Sequence, residues 1–240
     1  MKTRVVDPCL LSSEERFVML ELMKRHFDGI SPEIFYADLD EKNGAVLIEG
    51  SMGELVGFST FIYYEHVFDG EAVSVIYSGD TIVDPSAWNS TAMMRSVMAA
   101  YFDCHRDNGG QPLYWFLITS GFRTYRFLPV VFQKYYPHHE APTPPDMKRL
   151  LDDLAFSKFG CDYDSSSGIV RLKQAQTLKP HLASVPETRL DNPDVGFFLQ
   201  SNPGYVLGDE LASITELSRE NLTRAGLRLL GHALPIKAAG

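Results

Sequence analysis

Titratable residues interrupt two apolar segments of the sequence, and they are the first candidates for proton-transfer chemistry. Asp80 lies inside residues 72–83, a run otherwise rich in apolar and β-branched side chains. Glu65 and His66 follow directly after a second apolar run, residues 55–64. A carboxylate within an apolar strand is costly unless it is paired or used, and such groups cluster at functional sites. Asp80 is therefore the best of the three candidates, although a solvated position at a strand end is the commoner explanation of each.

An anion site is predicted directly after the first of these runs. The strand ends at Asp84-Pro85, because proline cannot donate to a sheet ladder, and residues 92–102 contain no glycine or proline, as expected of a helix. Asn89, Ser90 or Thr91 is the predicted N-cap of that helix. The unpaired N–H groups and the positive dipole end of a helix N-terminus suit an anion such as a phosphate. Capping alone explains the same side chains.

The elements around these residues follow a definite order. A capping box at Ser12 to Glu15 starts a first amphipathic helix, and Ser31-Pro32 starts a second, shorter one. The next elements are strands at 45–49, 55–64 and 72–83, the helix, a strand at 113–119 and a helix-compatible segment at 121–136. Because the intervening helix is long enough for a crossover, the last two strands are predicted to be parallel neighbours.

In this order of elements, residues 12–136 resemble the GNAT superfamily of acyltransferases. The fourth strand of that family ends in a V-x-P-like corner, which Val83-Asp84-Pro85 matches. The resemblance implies an α/β fold with a mixed, largely antiparallel sheet flanked by helices. It also implies that the pyrophosphate of coenzyme A binds at the helix N-terminus. The pantetheine arm is then expected between the two parallel strands, which splay apart.

The resemblance places the residues that bind the donor at the strand end and the helix start: Ile82, Val83, Trp88, Asn89, Ser90, Thr91 and Ala92. Trp88 is a candidate cover for a pantetheine or adenine group. The phosphate loop of the family is Q/R-x-x-G-x-G/A, whereas this chain has no glycine between Gly79 and Gly109. Glycine lets backbone approach a phosphate closely. Two donors therefore stay open: acyl-coenzyme A bound weakly, or an acyl group on the phosphopantetheine of an acyl carrier protein.

Acyl transfer to an amine needs a general base for the nucleophile and an acid for the leaving thiolate. Asp80, Glu65 and His66 are the candidates for the first role, because they lie within or at the end of the central strands. The resemblance makes Tyr125 the candidate acid, from its position early in the segment 121–136. A buried tyrosine that donates to a backbone carbonyl explains Tyr125 without a catalytic role.

The C-terminal part differs in character from residues 1–136. The proline-rich segment 137–145 predicts an extended linker, followed by a helix at 146–156, a turn at 164–168 and a short strand at 169–172. Residues 195–200 are interpreted as a strand, 205–207 or 211–215 as its strand partner, and about 220–230 as a last helix. The predicted organisation is a GNAT-like core, residues 1–136, and a portion, residues 137–240, that completes or extends the same domain.

Composition restricts the partners of the protein. With a formal net charge of −9 and a pI near 5.2, the chain is too acidic for nucleic acid to be a general partner. No stretch approaches the ~18 apolar residues of a membrane span, so no membrane partner is expected and the cytoplasm is the expected location. Cys9, Cys104 and Cys161 have no metal-ligand spacing, and no metal is expected.

The sequence thus predicts an N-acyltransferase that moves an acyl group from a pantetheine thioester to a small-molecule amine or similar nucleophile. Two alternatives stay open. One is a non-catalytic GNAT-like module that binds a ligand or a partner, and the other is an enzyme on the same fold that processes a thioester differently. The acyl group, the acceptor and the oligomeric state do not follow from the sequence.

Overall fold

The computed structural model describes residues 2–87, 91–106 and 110–230. Its strands are β1 (Lys2–Val6), β2 (Phe27–Asp28), β3 (Gly44–Glu49), β4 (Leu55–Phe68), β5 (Glu71–Val83), β6 (Leu113–Thr119), β7 (Tyr135–Tyr136), β8 (Tyr163–Asp164), β9 (Ile169–Val170), β10 (Thr177–Leu178) and β11 (Glu210–Glu216). Its helices are α1 (Ser13–His26), α2 (Pro32–Asp40), α3 (Ala92–His105), α4 (Phe122–Tyr125), α5 (Phe127–Val131), α6 (Pro145–Phe159), α7 (Pro180–Ala183), α8 (Pro193–Ser201) and α9 (Arg224–Leu230).

The local signals predicted at the start of the chain are confirmed. The Ser12 side chain accepts a hydrogen bond from the Glu15 N–H, and the Glu15 carboxylate accepts one from the Ser12 N–H, which completes the capping box of α1. Ser31 caps α2, with Pro32 at its first position. Both helices begin where their sequences predict, because these caps satisfy N–H groups that no helical carbonyl reaches.

A mixed, largely antiparallel sheet forms the centre of the protein, as predicted. Its strands run in the order β1-β3-β4-β5-β6-β11-β9-β8. The pairs along this path are antiparallel except β5 and β6, which are parallel. Strand β1, which pairs with β3 at one edge, has no counterpart among the predicted elements. Strand β11, from the C-terminal part of the chain, lies directly beside β6 in the same sheet.

The parallel pair separates part of the way along its length. Its register runs from Ser74 opposite Leu113 to Ser78 opposite Leu117 and then stops. Beyond this point β5 continues against β4 to Val83, and β6 continues against β11 to Thr119. The prediction that these two strands are parallel neighbours whose C-terminal ends diverge is confirmed.

Helices cover both faces of the sheet. On one face, here called the α2/α6 face, α1 and α2 pack over Phe58 and Ile82, and α6 packs over Tyr77 and Phe116. On the opposite face, here called the α3 face, α3, α4, α5, α8 and α9 pack against residues such as Ile76. Neighbouring residues of a strand point to opposite faces, so the assignment of one residue fixes those around it.

Three predictions differ from the structure; one is the strand partner of residues 195–200, because residues 205–207 form a short 3₁₀ helix and residues 211–215 pair with β6. Residues 121–136 form two short helices, α4 and α5, and then β7, because Pro129 lacks the N–H that a continuous helix through Tyr125 would need. Pro129 instead falls in the first turn of α5, where its missing N–H costs nothing. Residues 195–200 are not a strand: they lie in α8, which has Pro193 at its start and the Asn192 side chain accepting from the Val195 N–H.

Candidate active site

A β-bulge lies where the parallel strands separate. In the β4–β5 ladder Ser59 pairs with Thr81 and Phe61 with Ser78, so Thr60 alone faces both Gly79 and Asp80. Tyr77 and Ile82 both point to the α2/α6 face, and alternate residues of a strand share a face. Gly79, two residues after Tyr77, and Asp80, two residues before Ile82, therefore both lie on that face. A bulge re-aims side chains and interrupts strand pairing, and bulges are common next to active sites. The carboxylate predicted from its apolar surroundings therefore lies at the divergence of the sheet.

The Asp80 side chain is half-buried among charged groups. Burial raises its pKa from 3.8 to about 7; the negative charge of Asp38 adds to the increase, and the positive charge of Lys42 opposes it. A carboxyl group with such a pKa exchanges its proton near neutral pH, as a general base must. The raised pKa reflects the cost, expected from the sequence, of placing an ionised carboxyl group in this apolar strand.

Lys42, just after α2, reaches across the strand at the bulge. Its side chain is 1% exposed, and its Nζ lies 2.6 Å from Asp38 Oδ1 and 5.8 Å from the centre of the Tyr77 ring. Gly79 leaves the necessary room, because a Cβ there would lie 2.7 Å from Lys42 Cε and 2.6 Å from Thr60 Oγ1. From the other side, Lys158 of α6 places its Nζ 4.2 Å from the same ring centre. Burial, and then the charge of Lys42, lowers the pKa of Lys158.

Glu210, the first residue of β11, supplies a second carboxyl group to this region. Burial raises the pKa of Glu210 from 4.5 to about 8, and the charge of Asp80 adds to the increase. The neighbouring Leu211 pairs with Thr119, so Glu210 lies level with the C-terminal end of β6. Glu210 is not predictable as a site residue, because the sequence does not show which strand β11 joins; its only signal is an acidic residue directly before an apolar run.

The polar groups on the α3 face of the divergence form another set. The Trp115 Nε1–H donates to Ser78 Oγ at 3.0 Å, and the hydroxyls of Ser59 and Thr81 are hydrogen-bonded at 2.8 Å. The hydroxyl of Tyr101, from α3, is buried beside Ser59 and Ser78. Both faces of the divergence thus carry polar groups.

Glu65 and His66 lie far from Asp80. They pair with Ser74 and Val73, near the start of β5. Asp80 is seven residues beyond Val73, roughly 23 Å along the strand. The His66 Nε2 lies 2.7 Å from Asp153 Oδ2 of α6. The structure therefore does not bring these two candidates together with Asp80.

Tyr125 lies on the α3 face, in α4. Its hydroxyl donates to the Pro137 carbonyl oxygen at 2.8 Å, and its ring packs against Phe197 and Phe198. Burial raises the pKa of Tyr125 well above its usual value, so the neutral hydroxyl is strongly favoured. These contacts match the structural alternative considered for this residue from the sequence.

Of the residues predicted to bind the donor, Ile82 is buried under α1 and α2, and Val83 is half-buried. Thr91 is the N-cap of α3; it is exposed, and its side chain makes no capping hydrogen bond with the described residues. Ala92 is the first residue of that helix. The predicted positions Trp88, Asn89 and Ser90 lie outside the described residues. The predicted role of the helix start in phosphate binding stays a prediction.

Within the described ranges, no group of three or more histidine, cysteine, aspartate or glutamate residues is arranged to hold a metal ion. No helix in the same part of the chain has both the length and the apolar character needed to cross a membrane.

The mixed, largely antiparallel sheet, the diverging parallel pair and the crossover helix α3 between its strands are the features that the resemblance to the GNAT superfamily implies. The chain thus has a GNAT-like α/β fold.

No model of a known family matches the sequence, and no curated protein matches it. Similar solved structures include an acetyltransferase from Trypanosoma brucei (16% identity, 60% of this chain and 98% of that chain, TM-score 0.38). Another is a GNAT family N-acetyltransferase from Escherichia coli in complex with CoA (17% identity, 52% of this chain and 66% of that chain, TM-score 0.37). A third is a conserved protein from Enterococcus faecalis described as a probable N-acyltransferase (10% identity, 91% of this chain and 66% of that chain, TM-score 0.42). The roles of individual residues therefore have to come from the geometry of this chain.

Proposed function

We propose that the protein is an acyltransferase that moves an acyl group from a pantetheine thioester to an amine. The observation that carries the proposal is the separation of β5 from β6 beyond Ser78 and Leu117, directly beside the half-buried carboxyl group of Asp80. Separated parallel strands leave backbone N–H and C=O groups along both edges without a partner in the other strand. An extended arm that contains amide groups, such as pantetheine, fits between such edges by the same hydrogen bonding that adds a strand to a sheet.

In this proposal the thioester carbonyl lies beside the bulge at Gly79 and Asp80. The pantetheine arm runs along the divergence toward the N-terminus of α3, where Thr91 and Ala92 start a helix of 14 residues. A helix N-terminus favours a negative group. That group is the pyrophosphate of coenzyme A or the single phosphate of a carrier-bound phosphopantetheine, and both donors remain compatible with the proposal.

Asp80 acts as the general base. Its pKa of about 7 leaves a large fraction of the carboxyl group ionised at neutral pH and able to accept a proton. The acceptor amine then approaches the thioester from the α2/α6 face, where Asp80 lies. Glu65 and His66, at the far end of β5, have no part in this step.

The test is an acyl-transfer assay with acetyl-coenzyme A, longer acyl-coenzyme A donors and carrier-bound thioesters, each offered to a panel of small amines. Thiol release and amide formation are measured separately. Amide formation in step with thiol release, reduced ~10²-fold or more in Asp80→Asn, supports the proposal. The control is Glu71→Gln, which changes an exposed carboxyl group at the start of the same strand.

The rivals give different results in the same assay. Thiol release without amide formation would assign a thioester-processing enzyme. Binding of a donor with no thiol release, across all donors and amines, would assign a non-catalytic module.

A further inference from the structure

A carboxyl group from the C-terminal part of the chain shares the α2/α6 face with Asp80. Ala212 and Ile214 of β11 pack on this face with Phe116, so Glu210, which alternates with them, points to the same side. Resting on the acyltransferase function proposed above, we propose that Glu210 and Asp80 form an electrostatically coupled carboxyl pair, one member protonated and the other ionised, whose carboxylate receives the proton of the acceptor amine. The strand that extends the sheet beyond β6 thereby completes the active site.

The register of the sheet places the pair on either side of one strand end. Ser78 of β5 is level with Leu117 of β6, which in turn is level with Ser213 of β11. Beyond this level, toward the C-terminal end of β6, Asp80 lies on the neighbouring strand β5 and Glu210 on the neighbouring strand β11. The half-buried Ile118 lies between them on the same face. β5 and β11 both pair with β6 and not with each other, so the two carboxyl groups lie on either side of its C-terminal end.

The electrostatics agree with this geometry. The charge of Asp80 raises the pKa of Glu210, and charges on Glu210, Asp38 and Asp80 all contribute to the raised pKa of Tyr77, after burial. Two neighbouring carboxyl groups whose charges interact titrate as a pair, in two steps that belong to both. The region also contains other charged or titratable groups: Asp38 of α2, Glu41 and Lys42 just after that helix, Tyr64 of β4, Tyr77 of β5 and Lys158 of α6. Asp209, next to Glu210, accepts a hydrogen bond from Arg171.

A separate observation points to a ligand at this place. Thr60 Oγ1 is buried on the α2/α6 face at the bulge, 2.6 Å from the position of a Cβ on Gly79, and has no hydrogen-bond partner among the described residues. A buried hydroxyl without a partner is costly in a protein interior. A polar ligand group at the bulge would supply the missing hydrogen bond.

The proposed step begins with a proton transfer from the acceptor amine. The acceptor ammonium gives one proton to the carboxylate of the pair, and the neutral nitrogen forms a bond to the thioester carbonyl carbon. The C–S bond breaks and the thiolate leaves with the electron pair. The second proton of the nitrogen goes to the thiolate, so the products are an amide, a free thiol and a pair that returns its extra proton to water. The pair needs no cofactor for this cycle.

The test compares Glu210→Gln with Glu216→Gln, which changes an exposed carboxyl group at the other end of β11. Carbon-13 NMR of labelled side-chain carboxyl groups follows the titration directly. The wild type is expected to show two coupled steps, near pH 7 and pH 8. Glu210→Gln is expected to remove the upper step, and Asp80→Asn to lower the pKa of Glu210. Glu216→Gln is expected to leave both steps in place.

Turnover supplies the second measurement. Glu210→Gln is expected to lower kcat/KM on the order of tenfold and to simplify its pH profile, with partial recovery in Glu210→Asp. If Glu210→Gln does not fold, the wild-type titration and the response of Glu210 to Asp80→Asn remain decisive. A pKa of Glu210 that is unchanged in Asp80→Asn overturns the pair. Reciprocal shifts in a protein that is inactive toward every donor would support the pair and overturn the acyltransferase assignment instead.

Discussion

Asp80→Asn is expected to make the protein more stable and less active at the same time. The amide keeps the shape of the side chain but cannot ionise. In the wild type the folded protein holds the Asp80 proton up to a pKa of about 7, while the unfolded chain releases it near 3.8. Because the folded-state pKa is the higher one, the favourable contribution of Asp80 is complete below pH 3.8 and is lost as the pH rises through about 7.

The size of this effect follows from the pKa difference. A difference from 3.8 to about 7, at about 1.4 kcal/mol for each pH unit, gives about 4 kcal/mol in all. About 3 kcal/mol of it falls between pH 5 and pH 8, because roughly two pH units of that window lie below the folded-state pKa. For a chain of this size that corresponds to roughly 6–12 °C in Tm.

The assay is thermal or urea unfolding of wild type, Asp80→Asn and the control Glu71→Gln at pH 5 and pH 8, with turnover measured on the same samples. The wild type and the control should lose about 3 kcal/mol more than Asp80→Asn between the two pH values. Turnover of Asp80→Asn per folded molecule should fall ~10²-fold or more. Two results would refute the reasoning: equal pH dependence in all three proteins, or full turnover in Asp80→Asn.

Three further perturbations test the surroundings of Asp80. Gly79→Ala should displace the Lys42 side chain, lower the free energy of unfolding by about 1–3 kcal/mol and remove much of the activity. The control is Gly196→Ala in α8, where a Cβ meets nothing within 4 Å, and it should leave Tm unchanged or slightly raised. Lys42→Met removes the cation that lowers the pKa of Asp80, so the pH of half-maximal activity should rise; a fall would contradict the assignment. Coenzyme A should bind less than about tenfold more tightly than pantetheine in calorimetry, because Thr91 and Ala92 have side chains where glycine would let the backbone approach a phosphate. A sub-micromolar Kd for coenzyme A but not for pantetheine would show that the absence of glycine does not weaken phosphate binding.

Most of the fold follows from local signals in the sequence. The capping box at Ser12, the Pro32 helix start and the Asp69-Gly70 turn each fix a boundary. In the turn, Asp69 has a φ of +51° and Gly70 a φ of +84°, the positive values that a tight hairpin turn needs. The parallel pair also follows, because a helix between two strands imposes a crossover. These features depend on neighbouring residues, which the sequence displays directly.

The errors arise where local patterns compete. Residues 195–200 have the apolar run of a strand, yet Asn192 and Pro193 cap a helix there. The candidate site divides in the same way. Asp80 is predictable because a carboxylate in an apolar strand is costly wherever the strand lies. Glu210 is not, because its proximity to Asp80 depends on β11 joining the sheet beside β6, and no nearby residue encodes that pairing.

The central claim is that the donor lies between β5 and β6, and a crystal structure with a non-hydrolysable acyl-pantetheine or acyl-coenzyme A analogue tests it most directly. Ligand density is expected beyond Ser78 and Leu117, with the acyl carbonyl next to Gly79 and Asp80 on the α2/α6 face. Density for the analogue at any other surface, with the divergence left empty at saturating concentration, would contradict it.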